Sequence, residues 1–529
     1  MTKTFYVTTP IYYVNDSPHL GHAYTTIACD VLARFKRLDG YDVMFVTGTD
    51  EHGQKVDKAA RDAKIDPQHF TDNVSLRFRN LVATGDNLLN ISNNDFIRTT
   101  EPRHKKAAQA FWKRLQDKGH IYLDTYAGWY SVRDEAYYAE SEIVDGKAPS
   151  GAEVEWVEEK SYFFDLSKWQ KPLLDFYEAH PDFVVPASRY NEVKSFVRGG
   201  KEYVEGALKD LSISRTTFQW GIPVPGEDKH VMYVWIDALI NYLTVLGYPD
   251  EQIKAYQDYW LHADHSPIHI VGKDIVRFHA VYWPALLMAA EIPLPKKIVA
   301  HGWWTIEGEK MSKSIGNVVS PHALVDAYGL DQTRYFLMRE VPFGLDGDFS
   351  RANMVTRMNA DLANNIGNLA QRSLSMIQKN CDGCVPASGI LTEKDQQLLD
   401  AVRVTYCDPD TKRRIEEQVE ACKFDQILKD IVAMSSMANE YIDEQAPWQL
   451  KKTDPERMAT VLYVLAEAVR CIAIMLQPFM PDSAAKLLDQ LAIPPETRLF
   501  MHLTSDFALK SGTPLPVPAG VFPRFNAEA

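Results

Sequence analysis

The first fifty residues constrain the fold more than any other stretch of the chain. Thr4-Phe5-Tyr6-Val7-Thr8-Thr9 is rich in β-branched and aromatic residues and predicts a strand. Ile27, Val31, Leu32 and Phe35 then recur at helical spacing, predicting a helix near residues 21–37, and Asp42-Val43-Met44-Phe45-Val46 predicts a second strand. This order specifies a βαβ unit with a parallel sheet. Ligands of such sheets lie at the carboxyl ends of the strands, and Thr47 to Asp50 occupies one such end. Between the first strand and the helix lies Pro18-His19-Leu20-Gly21-His22. Asn15, Asp16 and Ser17 are candidate N-caps and Pro18 suits a first turn, so the motif falls where free backbone N–H groups favour an anion. Two imidazoles three residues apart share a helix face, and Gly21 leaves room for a flat ring against the backbone. Taken alone, such a pair is equally explained as two histidines packing a turn.

A second segment changes the balance. Glu309-Lys310-Met311-Ser312-Lys313-Ser314-Ile315-Gly316-Asn317 places two ammonium groups three residues apart, beside two serines and bracketed by Gly308 and Gly316. It has no hydrophobic periodicity, so it reads as a bendable loop rather than a buried element. A lone lysine pair of this kind is usually a solvated turn. With the histidine motif upstream, it suits neutralising charge that builds on a polyphosphate during reaction. Gly-Lys pairs occur at Gly146-Lys147, Gly200-Lys201 and Gly272-Lys273, but without the glycine or Ser/Thr that a Walker loop requires, and no Gly-x-Gly-x-x-Gly is present. Kinase, GTPase and dinucleotide readings therefore find little support, and phosphate chemistry falls to His19, His22, Lys310 and Lys313.

At these residues the chain resembles the class I aminoacyl-tRNA synthetases: His19-Leu20-Gly21-His22 is similar to the first family signature and Lys310-Met311-Ser312-Lys313-Ser314 to the second. Pro10-Ile11-Tyr12-Tyr13-Val14-Asn15, Gly48-Thr49-Asp50-Glu51-His52-Gly53, Tyr233-Val234-Trp235-Ile236-Asp237-Ala238 and Gly272-Lys273-Asp274-Ile275-Val276-Arg277-Phe278-His279 resemble the methionine-specific branch, and the match covers most of the chain. The resemblance implies ATP-dependent activation of L-methionine to methionyl-adenylate and its transfer to tRNA(Met), initiator tRNA included, for initiation and elongation of protein synthesis. It implies ATP binding by His19, Gly21, His22, Gly272, Asp274, Lys310, Ser312 and Lys313, with Mg²⁺ accompanying ATP. It implies a methionine pocket of Ile11, Tyr13, Asp50, Trp235, Ala238, Leu239, Tyr242, Ile275 and His279. In that pocket Asp50 can face the α-ammonium, although an N-cap is its ordinary role. Aromatic surface from Tyr13 and Trp235 suits a thioether, and Tyr242 could donate its hydroxyl to the sulfur. Asn368, Arg372 and Trp448 are implied as anticodon contacts: an amide and a guanidinium four residues apart on a helix face, plus an aromatic plate after Pro447.

The expected architecture is a Rossmann-like α/β parallel-sheet catalytic domain, split by an inserted α+β connective domain and followed by an α-helical anticodon-binding bundle. Its boundaries are read as 1–115 and 226–325 for the two catalytic halves, 116–225 for the insertion, 326–353 for a stem-contact segment, 354–510 for the bundle and 511–529 for an extended tail. Tyr122–Tyr138 and Glu153–Leu166 read as hairpin material. Many relatives hold the insertion together with cysteine-based zinc knuckles, but residues 116–225 contain no cysteine and His180 and Asp182 are isolated, so no structural zinc is expected. Cys381-Asp-Gly-Cys384 has zinc-ligand spacing without a second pair and reads as a loop with two thiols.

A length of 529 residues allows about three domains. A formal charge of −14 argues against broad coating of nucleic acid while permitting a local basic groove. Six scattered cysteines and no targeting pattern suit a reducing cytoplasm. The apolar run Val461 to Leu476 contains Glu467 and Arg470 and is too short to span a bilayer, so no membrane association is expected. The chain lacks the appended oligonucleotide-binding barrel that dimerises some relatives, and a monomer is expected. Three other readings stay open at this stage: a synthetase for leucine or isoleucine, for which about 110 inserted residues are few; a catalytically silent tRNA-binding module; and a small-molecule nucleotidyltransferase, which would leave the helical half unexplained.

Overall fold

The computed structural model describes residues 3–526 except 16, 83–86, 135, 139, 262–266 and 311–317. The chain divides into two compact units. One comprises Thr4–Pro18 and Met44–Ala300; the other comprises Met1–Lys3, His19–Val43 and His301–Ala529.

The first unit is built on a seven-stranded sheet in the order Tyr12–Tyr13, Asp42–Asp50, Thr4–Thr8, Ile268–Gly272, Lys297–His301 and Val184–Val185, with Asp95–Arg98 also paired to Asp42–Asp50. The pairings of Thr4–Thr8 with Ile268–Gly272, of Tyr12–Tyr13 and Asp95–Arg98 with Asp42–Asp50, and of Lys297–His301 with Val184–Val185 are all parallel. The predicted strand–helix–strand order over the first fifty residues is present, with the helix at Leu20–Leu38. Strands buried on both faces explain the near-continuous apolar runs of Ile268–Gly272 and Lys297–His301. Gly48 is demanded by close approach: a Cβ there would stand 2.1 Å from the Ile97 carbonyl oxygen of the neighbouring strand. Trp112, Trp260 and Trp283 are fully buried beside this sheet. The Trp283 ring lies 6.1 Å from those of Phe111 and Tyr242, forming an aromatic cluster in the core.

The inserted residues form antiparallel strands in both stretches read as hairpin material. Ile121–Ser131 and Glu155–Phe164 pair with each other, antiparallel, from Ile121↔Phe164 to Tyr130↔Glu155. The shorter strands Ala136–Tyr138 and Leu211–Ser212 flank them. Two segments of similar length and β-branched or aromatic content zip together because that pairing buries more cross-strand contacts, such as Trp129 against Trp156 at 5.4 Å, than either could within itself. His180 stacks on Phe176 at 4.5 Å and Asp182 lies 3.8 Å from Lys297, both at the surface.

The other unit carries the helix Leu20–Leu38, a small sheet of Trp304–Ile306, Glu309–Lys310 and Gly347–Phe349, and the carboxyl-terminal helices. Within it, Pro455–Leu476 is the one helix among the described residues long and apolar enough to cross a membrane, and it is almost wholly buried among its neighbours. Two of its charged residues lie in that core as a paired network. Arg470 and Glu467 pair at 2.6 Å, Arg403 adds a second guanidinium at 2.9 Å, and the Leu509 N–H and His502 carbonyl complete the network. Such a satisfied cluster suits a bundle core and would be costly against lipid. The tail is extended beyond residue 510 and is tied back through a two-way hydrogen bond between Asn359 and the Phe525 backbone. Cys381 and Cys384 close a turn as free thiols, the Cys384 N–H bonding to the Cys381 carbonyl.

Candidate active site

The helix bearing the paired histidines does not start as the sequence indicated. Asn15, Asp16 and Ser17 are not its caps, and Asp16 itself lies outside the described residues; His19 is the N-cap, in extended conformation, and Leu20 is the first helical residue. His19 Nδ1 accepts the Gly21 N–H at 3.1 Å, and His22 Nδ1 accepts the His19 N–H at 3.1 Å. The two rings stack with centroids 3.9 Å apart. This is a capping box built from imidazoles in place of the usual Ser and Glu. The Leu20 N–H is also taken, by the Val319 carbonyl at 3.2 Å. The backbone N–H groups of His19, Leu20 and Gly21 at this helix start are therefore already satisfied. A ring whose Nδ1 accepts is neutral and carries its proton on Nε2, so both histidines are uncharged Nε2–H donors. Burial, reinforced by His19, pushes the His22 pKa well below the usual histidine value, which preserves that state. Gly21 also leaves space for His19: a Cβ would press to 3.0 Å from His19 Cε1.

The same unit brings the flank of the lysine segment to this helix start. Val319, just beyond the segment, bonds to Leu20, and His301 Nε2 lies 2.7 Å from Thr25 Oγ1 on the next turn. Lys310 is placed by its backbone in a short antiparallel pairing with Thr305, and Asp348 braces that turn through Thr305 Oγ1 and the Gly308 N–H. Ser312 and Lys313 lie outside the described residues.

The residues expected around methionine all belong to the sheet-bearing unit. Tyr13 stands beside Asp50 in register on the adjacent parallel strand. Ile11, Tyr13, Trp235 and Ile275 pack against the core cluster that contains Leu239 and Tyr242. Ala238 is buried on the same short helix, Val234–Leu239. Trp235 lies flat on Phe278 at 3.7 Å and edge-on to His279 at 6.4 Å. Gly272 ends the strand Ile268–Gly272, and Asp274 follows in an exposed turn, at a carboxyl end of the sheet as α/β ligand sites require.

Hydrogen-bond partners fix the chemistry of Tyr242. His279 Nδ1 faces the Ile275 carbonyl at 3.0 Å, so it carries the proton, and Nε2 takes the Tyr242 hydroxyl at 2.7 Å. The Tyr242 proton is thus committed to His279 and is not donated to a thioether sulfur, contrary to the reading of the sequence. Burial lowers the His279 pKa from 6.5 to about 4, against smaller upward effects of the Ile275 carbonyl and Asp274. The unfolded histidine binds its proton at higher pH than the folded one, so this side chain costs no stability above pH 6.5 and progressively more as pH falls toward 4. In urea denaturation, wild type is expected to lose roughly 2 kcal/mol more than His279→Gln between pH 7 and pH 4.5. Equal losses would refute the buried neutral imidazole.

The anticodon candidates lie in the helical unit. Asn368 and Arg372 occupy successive turns of Asn368–Asn380, and the Arg372 guanidinium sits 5.4 Å over the Trp448 ring while bonding Asp443 at 2.7 Å. Trp448 is 44% exposed, unlike most tryptophans of the chain, and Asn368 is exposed. The structure thus joins Arg372 and Trp448 and leaves Asn368 one turn away on the same helix.

Two buried networks carry residues that sequence reasoning quoted without using. Glu51 accepts both the Nε and Nη2 of Arg98, at 2.7 and 3.0 Å, together with Thr49 and Thr100 hydroxyls. Asp237 is shared between His52 and His104. The only sequence signal was ionisable residues inside apolar surroundings, in Gly48–Gly53 and Tyr233–Ala238.

Residues 5–154 and 148–374 match the family model described as tRNA synthetases class I (M), which assigns the chain to the class I aminoacyl-tRNA synthetases. Residues 385–529 match a second model, the anticodon binding domain of methionyl tRNA ligase. The chain is 57% identical to the methionine–tRNA ligase of Rickettsia felis over 532 residues, covering 100% of both, and 55% identical to that of Mesorhizobium japonicum over 529 residues, covering 99% of this chain and 98% of the other. The solved Mycobacterium tuberculosis methionyl-tRNA synthetase in complex with methionyl-adenylate superposes with a TM-score of 0.92 at 49% identity, covering 99% of this chain and 100% of that one. The apo form of the same enzyme gives 0.86 at 46% identity, covering 99% of each chain. The chain belongs to the methionyl-tRNA synthetase family.

Proposed function

We propose that the chain activates L-methionine with ATP and charges tRNA(Met), initiator tRNA included, with the residues above in the following roles. The observation that carries the assignment of the ATP site is the imidazole capping box, which makes His19 and His22 neutral Nε2–H donors at a helix start bonded to the flank of the lysine segment. The methionine carboxylate attacks the α-phosphate in line and pyrophosphate leaves; the substrate supplies its own nucleophile, so catalysis is positioning and charge stabilisation. His19 and His22 hold phosphate oxygens without adding a titrating charge, Gly21 keeps their cap intact, and Lys310, Ser312 and Lys313 take the departing pyrophosphate. Gly272 and Asp274 hold the ribose, through close backbone approach and hydroxyl acceptance. Mg²⁺ enters with ATP and neutralises its phosphates.

Asp50 takes the methionine α-ammonium, and Ile11, Tyr13, Trp235, Ala238, Leu239, Tyr242, Ile275 and His279 form the side-chain sleeve. The adenylate then passes its aminoacyl group to the terminal adenosine of tRNA, while Asn368, Arg372 and Trp448 read the anticodon. The cation–π contact of Arg372 with a half-exposed Trp448 supports this, since unpaired bases bind by stacking and edge hydrogen bonds. The segments 1–115 and 226–325 act as the catalytic domain, 116–225 as a connective insertion, 326–353 as stem contact and 354–510 as anticodon reader. We place the protein in the cytoplasm as a monomer, in keeping with its free thiols.

ATP–pyrophosphate exchange with each of the twenty amino acids tests the assignment. Exchange is expected with methionine alone; comparable exchange with leucine or isoleucine, or none with methionine, would overturn it.

A further inference from the structure

We propose that Asp237 is a positioning residue that locks the ammonium-binding carboxylate of Asp50 in register with the methionine side-chain sleeve; the proposal rests on the reading of Asp50 given above. Asp237 is fully buried, as is His104, and His52 is 2% exposed. One carboxylate oxygen of Asp237 accepts from His52 Nδ1 at 2.6 Å and the other from His104 Nε2 at 2.7 Å. His104 Nδ1 in turn lies 3.1 Å from Thr244 Oγ1. Burial alone would raise the Asp237 pKa, but the two histidines outweigh it and hold the carboxyl at about 2.

The placement of the three residues gives the network its consequence. Asp237 lies on the short helix Val234–Leu239, which also carries Trp235, Ala238 and Leu239. His52 lies two residues beyond Asp50, just past the end of the strand Asp42–Asp50. Between them, Glu51 is fully buried and clamped by Arg98, Thr49 and Thr100, its own N–H bonds Thr99 Oγ1 at 2.9 Å, and its carbonyl accepts from Trp220 Nε1 at 2.6 Å. Trp220 also sits edge-on to His52 at 5.5 Å. Asp50 is therefore followed by two anchored side chains. Glu51 fastens the segment to the sheet side, and His52, through Asp237, fastens it to the helix that forms the sleeve. A carboxylate shared by two imidazoles is a directional, desolvated tie with both acceptor oxygens used, and breaking one half leaves a buried group unsatisfied. Such a tie fixes where the ammonium-binding group stands relative to the sleeve, and a misplacement of about 1 Å can cost on the order of 10²-fold for a ligand that must engage both.

Asp237→Asn is the test, because the amide keeps the shape but cannot accept from both histidines. The readouts are competitive inhibition constants in pyrophosphate exchange for two probes. L-Methioninol keeps the α-ammonium and thioether; 2-hydroxy-4-(methylthio)butanoate keeps the thioether and carboxylate but replaces the ammonium with a hydroxyl. The constant for methioninol is expected to rise about 10- to 100-fold, that of the hydroxy acid to stay within about threefold, and the KM for ATP to be unchanged. A parallel rise for both probes, or no rise for either, overturns the proposal. Should Asp237→Asn fail to fold, Thr244→Val, which removes the outer partner of His104 together with a local bond to the Ile240 carbonyl, is expected to show the same selectivity at about 2- to 5-fold; a non-selective or absent effect there overturns the proposal equally. Asp50→Asn separates the two claims. If it leaves methioninol binding unchanged, the ammonium-site reading fails and the proposal with it. If it weakens methioninol while Asp237→Asn does not, the positioning role alone fails.

Discussion

Replacing His22 by asparagine is expected to slow methionyl-adenylate formation by about 10²- to 10³-fold while leaving the melting temperature within about 2 °C of wild type. The two halves of that expectation come from the two nitrogens. Nδ1 accepts the His19 N–H and so serves the helix start, a task an asparagine carbonyl oxygen can take over. Nε2–H is the donor assigned to phosphate, and asparagine cannot reach that position. His22→Ala loses both, so it should show the same rate defect with an additional stability loss of about 1 kcal/mol. Pyrophosphate exchange and thermal melts on both variants check this. A rate within tenfold of wild type in His22→Asn would confine the histidine to capping. Because burial and His19 hold the His22 pKa well below 6.5, its donor is intact above that pH, and wild-type exchange should show no His22 titration between pH 6.5 and 8.

Lys313→Ala is expected to lower exchange by a similar ~10²–10³-fold, with the KM for methionine little changed. The argument is electrostatic: negative charge grows on the departing pyrophosphate only as the α-phosphate bond breaks, so an ammonium set against it contributes to the transition state more than to the ground state. By resemblance Lys313 is the second lysine of the family signature and should matter most, so removal of Lys310, whose backbone pairs with Thr305, should cost less. Steady-state exchange kinetics decide the matter. Unchanged turnover in Lys313→Ala would remove it from the site, and a rise in methionine KM alone would assign it to ground-state binding.

How legible each part was depended on whether its signal is local. The strand Thr4–Thr8, the helix Leu20–Leu38 and the strand Asp42–Asp50 follow the sequence reading to within a few residues, because periodicity and β-branched content are local properties. The inserted strands Ile121–Ser131 and Glu155–Phe164 lie in the two stretches read as hairpin material, but their pairing with each other spans a long connection and has no local signature. The histidine motif was seen, and its cap was misread: Ser and Asp are the usual N-caps, and nothing local announces that an imidazole will take the role. Tyr242 was placed in the pocket from the motif, but the direction of its proton depends on His279, 37 residues away, and on the Ile275 carbonyl beyond it.

The sequence by itself determined the element types, the parallel-sheet class and the family, because each is written in short-range pattern and in motifs that stand at fixed spacing. It also determined the residue types available for phosphate, ammonium and base recognition. Only the tertiary structure decided which atoms of those residues are already spoken for: that both histidine Nδ1 atoms cap a helix, that Tyr242 gives its proton to His279, and that Asp237 joins His52 and His104 across separations of 185 and 133 residues. The physical reason is that a buried polar atom must find a partner wherever the packed chain supplies one, and that supply is fixed by contacts between segments remote in sequence.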